Sequence, residues 1–310
     1  MAARNRFPQK AFARRSPAAA GPRHAAGGLF LPGRMAHHAA ASRAAATPEG
    51  RLVVPVELRL IPCLSDNYAV LLRDRATEAT AVVDAPDAAP IIAAAEAEGW
   101  ALTHVLVTHH HADHVQGIPA LKARYGVTVV GPRAEAAAIA GLDVAVEDGD
   151  PVAVGALVGR VLETPGHTAG PVTYLFEAER LLFTGDTLFS LGCGRAFECP
   201  PAVLWHSLQR LRTLPGELRI YCGHEYTLSN ARFALSVDPD NAELQRLAGQ
   251  VEAERAAGRP TVPSLLADEV KANPFLRADD PAIAAHLGLA GADPAEVFAE
   301  LRARKNGFRG

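Results

Sequence analysis

The feature that most constrains this chain is one short segment that holds four histidines and an aspartate. Residues 108–114 read THHHADH and directly follow the apolar run Val105–Val107. Imidazole and carboxylate groups are costly to bury unless they are paired or bound to a metal. Both are ligands that zinc and its borderline neighbours accept. The segment therefore predicts a metal site at the end of a buried strand.

The spacing within the segment suggests two metals. Alternate residues of an extended backbone face the same side, so His109 and His111 can share one metal. Asp113 and His114 come after the turn and can point at a second metal beside the first. His110 faces away from these ligands, so packing, or support of the ligands, is the simpler interpretation of this histidine.

Three more candidate ligands follow, each in a turn or after an apolar strand and each preceded by glycine: His167 (PGHT), Asp186 (TGDT) and His224 (GHE). Taken singly, each has an ordinary explanation as a turn residue or a helix cap. Together with the first segment they give five histidines and two aspartates, enough for two metals with open positions. A structural zinc site is usually a closed cage, often of cysteines, so a cysteine-free set favours catalysis.

Composition excludes several functional classes. The chain has 310 residues, a formal net charge of −3 and 49% hydrophobic residues, which suits one large soluble domain and a smaller one. A nucleic-acid binder would normally carry a strongly basic domain, and no apolar run is long enough to span a bilayer. The four cysteines are too sparse for a disulfide framework. Reduced cysteines and a cytoplasmic location are therefore expected.

The first fifty residues differ from the rest. They are rich in alanine and arginine, and the first acidic residue is Glu49. Three interpretations remain open: a disordered extension, an organelle (mitochondrial) transit segment, or a mis-assigned start with the true start at Met35. The composition favours the disordered or spurious extension, and we assign residues 1–52 to it.

Strand and helix patterns alternate up to about residue 223, and the chain is helical afterwards. Strands are predicted at 54–61, 68–72, 80–83, 104–107, 127–130, 157–163, 172–176, 181–184 and 218–222. Helices are predicted at 88–98, 115–125, 201–212, 228–235, 242–256, 281–287 and 294–304. No strand is expected after residue 223. We therefore expect an α/β catalytic domain over residues 53–226 and a helical, substrate-binding domain over residues 227–310.

The motifs THHHADH, PGHT, TGDT and GHE occur in the order found in metallo-β-lactamase-fold hydrolases, and the chain resembles that superfamily. The resemblance implies a four-layer αββα sandwich with a C-terminal helical domain and metals in a cleft at one edge. By position, metal one would take His109, His111 and His167, and Asp186 would bridge. Metal two would then take three donors, which are Asp113, His114 and His224. Two divalent ions are implied, with zinc expected and iron or manganese open.

Further segments resemble one family within that superfamily, the glyoxalase II or hydroxyacylglutathione hydrolases. They are PCLSDNY (62–68), LFSLGCGR (188–195), GHEYT (223–227), TVPS (261–264) and NPFLR (273–277). The resemblance implies glutathione contacts from four side chains, which are Arg195, Tyr226, Arg302 and Lys305. Phe197 stands where a tyrosine is often found. Cationic partners would suit the two carboxylates of glutathione.

The implied reaction is hydrolysis of S-(2-hydroxyacyl)glutathione thioesters. With S-D-lactoylglutathione the products would be glutathione and D-lactate, the second step of methylglyoxal detoxification. A water between two metals can lose a proton at a pKa of roughly 7, and the resulting hydroxide would attack the thioester carbonyl. Asp113 and Asp186 are the expected catalytic carboxylates, because they hold the metals and the nucleophile.

Two other functions remain open. One is a persulfide dioxygenase with a single iron on the same fold, and the other is a non-catalytic metalloprotein that binds glutathione conjugates. The helical tail with its basic end favours the hydrolase. We expect a monomer whose partner is the glutathione thioester, with neither nucleic acid nor membrane as a partner.

Overall fold

The computed structural model describes residues 56–309, so the expectations for residues 1–52 lie outside the described part. The strands, in chain order, are β1 (Val56–Cys63), β2 (Asn67–Asp74), β3 (Thr80–Val83), β4 (His104–Leu106), β5 (Thr128–Pro132), β6 (Val144–Val146), β7 (Pro151–Val154), β8 (Leu157–Glu163), β9 (Val172–Phe176), β10 (Leu181–Gly185), β11 (Leu188–Phe189), β12 (Gly192–Cys193), β13 (Arg219–Cys222) and β14 (Ser264–Leu265).

The α-helices are α1 (Ala88–Ala97), α2 (Ala112–Val115), α3 (Ile118–Tyr125), α4 (Pro201–Leu211), α5 (Thr227–Val237), α6 (Ala242–Ala256), α7 (Leu266–Ala272), α8 (Pro281–His286) and α9 (Pro294–Gly307). Two short 3-10 helices cover Arg133–Glu135 and Pro274–Leu276. Within residues 56–309, no helix is both long and apolar enough to cross a bilayer.

Two six-stranded sheets form the centre of the fold. The first has the order β1-β2-β3-β4-β5-β6 and the second the order β14-β13-β10-β9-β8-β7. Strand β2 shows how they pack: Val70 and Leu72 point into the core between the sheets, whereas Ala69 and Leu71 point to the opposite face. This period-2 alternation, with both faces buried, explains why the middle of β2, residues 69–72, is apolar on both faces.

Helices cover the outer faces of both sheets. On the first sheet, Ile91 of α1 and Leu121 of α3 pack against Leu71 and Val105. On the second sheet, residues of α4, α5 and α9 share one core with the sheet, and its largest members are Trp205, Phe233, Phe275 and Phe298. The result is a four-layer αββα sandwich, as the resemblance to metallo-β-lactamase-fold hydrolases implied.

Most predicted elements lie within three residues of the observed bounds, and those at 80–83, 157–163, 172–176 and 242–256 coincide with them. The helix predicted over 115–125 is instead split into α2 and α3. The split occurs at Gly117, whose N–H donates to Ala85 O at 2.9 Å. A Cβ at Gly117 would lie 2.9 Å from that oxygen. The backbone of residue 117 therefore lies against Ala85 at a distance that suits glycine, and the two helices meet at this point.

The expectation that no strand follows residue 223 was wrong. Ser264 and Leu265 form β14 and pair antiparallel with Ile220 and Arg219 of β13. A segment of two residues carries no alternation pattern, so the sequence gave no sign of it. The predicted boundary near residue 226 remains a prediction, and β14 adds a piece of the later segment to the second sheet.

Candidate active site

Six of the seven candidate ligands follow strands that belong to two parallel pairs, and His167 lies in the turn between β8 and β9. Strands β3 and β4 are parallel in the first sheet, and β10 and β13 are parallel in the second. Carboxyl ends of parallel strands meet at one edge, so the segments after β4, β10 and β13 come together. The Tyr68 N–H donates to Gly223 O at 2.8 Å, which joins the two sheets at this edge.

Three imidazoles form the first donor group. His111 Nδ1 lies 3.2 Å from His109 Nε2 and 3.0 Å from His167 Nε2. Three ring nitrogens that face one another at this distance cannot all share protons, and a cation between them would satisfy all three. The structure therefore brings together the three histidines predicted for metal one.

The second donor group contains Asp113, His114 and His224. The two Nε2 atoms of His114 and His224 are 3.3 Å apart, and Asp113 Oδ2 lies 3.4 Å from His224 Nε2. A side chain at residue 223 would prevent this arrangement, because a Cβ there would lie 2.5 Å from Asp186 Oδ1 and 2.7 Å from His114 Cε1. Gly223 thus allows the backbone to pass close to the group.

Asp186 lies between the two groups. Its Oδ2 is 3.5 Å from His167 Nε2 and 3.3 Å from His224 Nε2, and its Oδ1 is 3.5 Å from His114 Nε2. Burial alone would raise the pKa of the Asp186 carboxyl, but His114 and His224 outweigh it and hold that pKa well below its ordinary value. The carboxylate is therefore ionised and reaches both groups.

In four of the five histidines, the ring nitrogen that faces away from the donor groups is held by a partner that the sequence reasoning did not identify. His109 Nδ1 lies 3.0 Å from Thr108 Oγ1, and His167 Nδ1 lies 2.9 Å from Arg195 O. His114 Nδ1 lies 2.9 Å from Asp84 Oδ2. Such partners fix the ring orientation and direct the remaining nitrogen inward.

Two further polar residues complete this support. Asp66 Oδ1 lies 2.8 Å from His224 Nδ1. Asn67 Nδ2 donates to Asp113 Oδ2 at 3.0 Å. One sequence signal could have identified Asp84: it is a carboxylate directly after an apolar strand, like Asp186. Its positive φ of 56° is uncommon for a residue other than glycine and marks a constrained backbone.

The donor set fits a divalent metal. Asp186 Oδ1 is buried and has no hydrogen-bond partner among residues 56–309, which leaves a charged oxygen that a cation would satisfy. Burial lowers the pKa of His109, His111 and His167, so these rings are neutral and able to bind a metal. Imidazole and carboxylate donors suit zinc, iron or manganese.

A cavity of about 410 Å³ adjoins the donor groups. All four side chains that the sequence predicted to bind substrate line it: Arg195, Tyr226, Arg302 and Lys305. The Tyr226 ring stacks on His224 with centroids 4.6 Å apart. Ser229 and Asn230, which the sequence reasoning missed, also line the cavity. An exposed Phe197 stands at its edge beside His167, with ring centroids 5.4 Å apart.

The two α9 cations that line the cavity differ in their environment. Arg302 is buried, and its Nη1 donates to Cys193 O at 2.9 Å, so part of this guanidinium pins the β11–β12 hairpin to α9. Lys305 Nζ donates to Ser229 O and Ser229 Oγ, each at 2.9 Å. Burial, aided by the charge of Arg302, lowers the pKa of Lys305 to about 8.

Comparison with known proteins decides the family. Residues 66–224 match the family model described as metallo-β-lactamase superfamily, and residues 225–308 match that of the hydroxyacylglutathione hydrolase C-terminus. The protein named hydroxyacylglutathione hydrolase in Rhodopseudomonas palustris strain BisB5 is 56% identical over 250 residues, which cover 81% of this chain and 98% of that protein. The chain belongs to the hydroxyacylglutathione hydrolase family. The membership makes it a thioester hydrolase and confirms the predicted family.

A second relative supports the family, and two solved structures have a similar fold. The hydroxyacylglutathione hydrolase of Bradyrhizobium sp. strain ORS 278 is 57% identical, over 81% of this chain and 98% of that protein. The crystal structure of ETHE1 from Myxococcus xanthus superposes with a TM-score of 0.55 at 29% identity, over 80% of this chain and 98% of that chain. The BLEG-1 B3 metallo-β-lactamase has a TM-score of 0.53 at 20% identity, over 71% and 99% of the two chains, and supports the fold alone.

Proposed function

We propose that this hydroxyacylglutathione hydrolase cleaves the thioester of S-D-lactoylglutathione and related S-(2-hydroxyacyl)glutathiones, with two divalent ions bound by seven side chains. The observation that carries the proposal is the position of Asp186, whose oxygens lie within 3.5 Å of imidazoles from both donor groups. His109, His111 and His167 would hold one ion, and Asp113, His114 and His224 the other. When bound, the ions would lower the pKa of a water molecule to roughly 7 and polarise the thioester carbonyl.

The chain itself would orient the reactants. The Asp113 side chain is 42% exposed, so its carboxylate can accept a hydrogen bond from the attacking water. Asn67 fixes that carboxylate through Oδ2. The leaving glutathione thiolate is a weak base, so its departure needs little help from a general acid. The ring of Phe197 at the cavity edge would shield the reacting thioester from bulk water.

The cavity would bind the glutathione part of the substrate. Lys305 and the exposed Arg195 supply positive charge to a cavity that adjoins the metal ligands. Glutathione carries two carboxylates, and charge-assisted hydrogen bonds to them would fix the thioester at the metals. Arg302 would act partly by holding the β11–β12 hairpin that forms one side of the cavity.

One experiment tests this function. Purified protein should release thiol from S-D-lactoylglutathione and contain close to two equivalents of divalent metal in the same sample. The matched control substrate is S-D-lactoyl-N-acetylcysteamine, which has the same thioester and lacks both carboxylates. We expect kcat/KM at least about 100-fold lower for it, equivalent to ~2.7 kcal/mol of lost binding. Equal rates on the two substrates would contradict the glutathione site.

The dioxygenase alternative predicts a different result. A single-iron enzyme would need only one donor group, whereas the described residues bring together two groups with a shared carboxylate. Oxygen consumption with glutathione persulfide, about one iron per chain and no thiol release from the thioester would together favour the alternative. Tight metal binding without turnover of any thioester would favour the non-catalytic alternative.

A further inference from the structure

The first donor group depends on two separate loops. His109 and His111 follow β4, whereas His167 lies in the turn between β8 and β9. His111 Nδ1 lies 3.0 Å from His167 Nε2, so the group exists only while the two loops stay close together. A contact that fixes the distance between the two loops would therefore control metal affinity without touching the metal.

Glu135 makes such a contact. It ends the 3-10 helix Arg133–Glu135 and is only 6% exposed. Its Oε2 accepts a hydrogen bond from the backbone N–H of His110 at 2.7 Å and lies 2.9 Å from His110 Nδ1. Its Oε1 accepts hydrogen bonds from Thr168 Oγ1 and, at 3.0 Å, from the N–H of Gly170. One carboxylate thus joins the loop of His109 and His111 to the loop of His167.

Two further observations show that the loops are held closely together. Glu198 makes a parallel connection, because its Oε1 lies 3.3 Å from His110 Nε2 and its Oε2 accepts from the Ala169 N–H at 2.8 Å. Gly170 packs directly on Ala134, and a Cβ at residue 170 would lie 2.3 Å from the Cβ of Ala134. The His167 loop therefore has no room to approach or turn without moving the 3-10 helix.

We propose that Glu135 is a positioning residue that holds the two histidine loops of the first metal site in register. It acts through His110 and Thr168, which are chain neighbours of His109, His111 and His167. Its carboxylate meets at least three N–H or O–H donors, so no neutral side chain of the same size can replace it. The proposal rests on the metal-binding part of the proposed function.

The informative substitution is Glu135→Gln. Glutamine keeps the size of the side chain, but its NH2 group must face donors on one side, either those of His110 or those of Thr168 and Gly170. One link between the loops is then lost whichever way the amide turns. The matched control is Glu269→Gln, because Glu269 is also a buried glutamate that accepts a backbone N–H, that of Leu191 at 2.8 Å, away from the histidine loops.

The measurement is the rate at which EDTA removes cobalt(II) from reconstituted protein, followed by the absorption of the bound cobalt. Wild type should lose its two ions in two phases. In E135Q one phase should be about tenfold faster and its spectrum altered, since partners outside the ligand shell typically contribute 10- to 100-fold to metal affinity. The other phase, and both phases of E269Q, should match wild type. Gly170→Ala should accelerate the same phase as E135Q by displacing the His167 loop.

Several outcomes would overturn the proposal. E135Q could release both ions at the wild-type rates, or both phases could accelerate equally in E135Q and E269Q, together with a similar loss of stability of the two metal-free proteins. Thermal melting of the metal-free variants, followed by circular dichroism, measures that stability. If wild type retains no metal, the proposed function is wrong. If wild type and E135Q both bind metal normally, only the proposed role of Glu135 is wrong.

Discussion

Asp186 is the residue on which the two donor groups depend, because its carboxylate lies against imidazoles of both. Substitution Asp186→Asn keeps the shape and removes the charge. We expect kcat/KM to fall at least about 1000-fold, equivalent to ~4 kcal/mol of transition-state stabilisation, with loss of bound metal. The measurement is thiol release alongside metal content. The exposed Asp240 supplies the control variant D240N, which should behave as wild type.

His111 provides a second test at the same scale. Its Nδ1 faces both other imidazoles of the first group, so His111→Ala removes the centre of that group. We expect the variant to fold, as judged by circular dichroism, and to lose turnover to the same extent as D186N. A folded H111A protein with near-normal hydrolysis would contradict the proposed metal ligation.

Lys305 should give the enzyme an alkaline limit. Because its pKa is about 8, the ammonium that would bind a substrate carboxylate is present below pH 8 and is lost as the pH rises through that value. The kcat/KM for S-D-lactoylglutathione should then fall about tenfold between pH 7 and pH 9, through a rise in KM.

The control for this alkaline limit is Lys305→Arg, which keeps the charge at all these pH values. The K305R profile should stay flat over the range, apart from ionisation of the substrate itself. An identical alkaline fall in wild type and K305R would assign the effect to another group.

The seven candidate ligands could be predicted from the sequence because each stands in a short polar segment beside an apolar strand or a glycine. Glu135 could not be, since it is an isolated acidic residue in its segment, and the only signal for Asp84 is its place directly after an apolar strand. Their roles depend on contacts with residues 24 to 35 positions away. Arg302 was recognised by resemblance, but its bonds to the β11–β12 hairpin became visible only in the packed structure.

At the scale of elements, the turn of the β11–β12 hairpin is hydrogen-bonded to α7. Glu269 of α7 accepts the Leu191 N–H, and Leu191 has a positive φ of 53°, so this hydrogen bond supports a constrained turn. Burial raises the pKa of Glu269 to about 7, against the effect of the hydrogen bond from Leu191. The elements that form one side of the cavity therefore rest on a carboxyl group that titrates near neutrality.

This carboxyl predicts a pH-dependent stability. A glutamate pKa raised on folding means that the native state binds more protons than the unfolded state between about pH 4.5 and pH 7. Its contribution to the free energy of unfolding should therefore fall by roughly 3 kcal/mol as the pH rises through that range. Urea unfolding of wild type and E269Q at several pH values measures the difference. A difference between the two proteins that does not change with pH would contradict the prediction.

Prediction of helices and strands succeeded where a segment is long or strongly apolar. It failed for short strands that form because a neighbouring strand pairs with them. Strands β6 and β7 are three and four residues long and were missed, as was β14 with two. Each is a strand because a neighbour supplies its hydrogen-bond ladder, and that information is not local. The α7 helix was missed for a related reason: of its seven residues, only Leu266, Glu269 and Ala272 are buried, and one of these is charged.

At the scale of the whole molecule, the C-terminal segment is part of the main core. Phe298 of α9 stacks on Trp205 of α4 with ring centroids 5.6 Å apart, and both belong to the core that covers the second sheet. Glu225 adds a polar connection, because it accepts hydrogen bonds from Tyr68 Oη and from the N–H and Oγ1 of Thr261. The predicted helical domain is therefore in close contact with the segment that carries the metal ligands.

These contacts predict that residues 53–226 do not fold alone. Deleting residues 227–310 removes β14, α9 and the Phe298 ring, and exposes Leu204, Trp205 and Ile220, which are all buried. The truncated chain should be insoluble or unfolded, and it should bind no metal. The milder Phe298→Ala should leave a folded enzyme that is destabilised by about 3–5 kcal/mol. Circular dichroism and metal analysis of both proteins give the test. A folded fragment with a normal metal content would show that residues 53–226 are an independent domain. The packing of α4 on α9 would then be an interface between domains rather than a shared core.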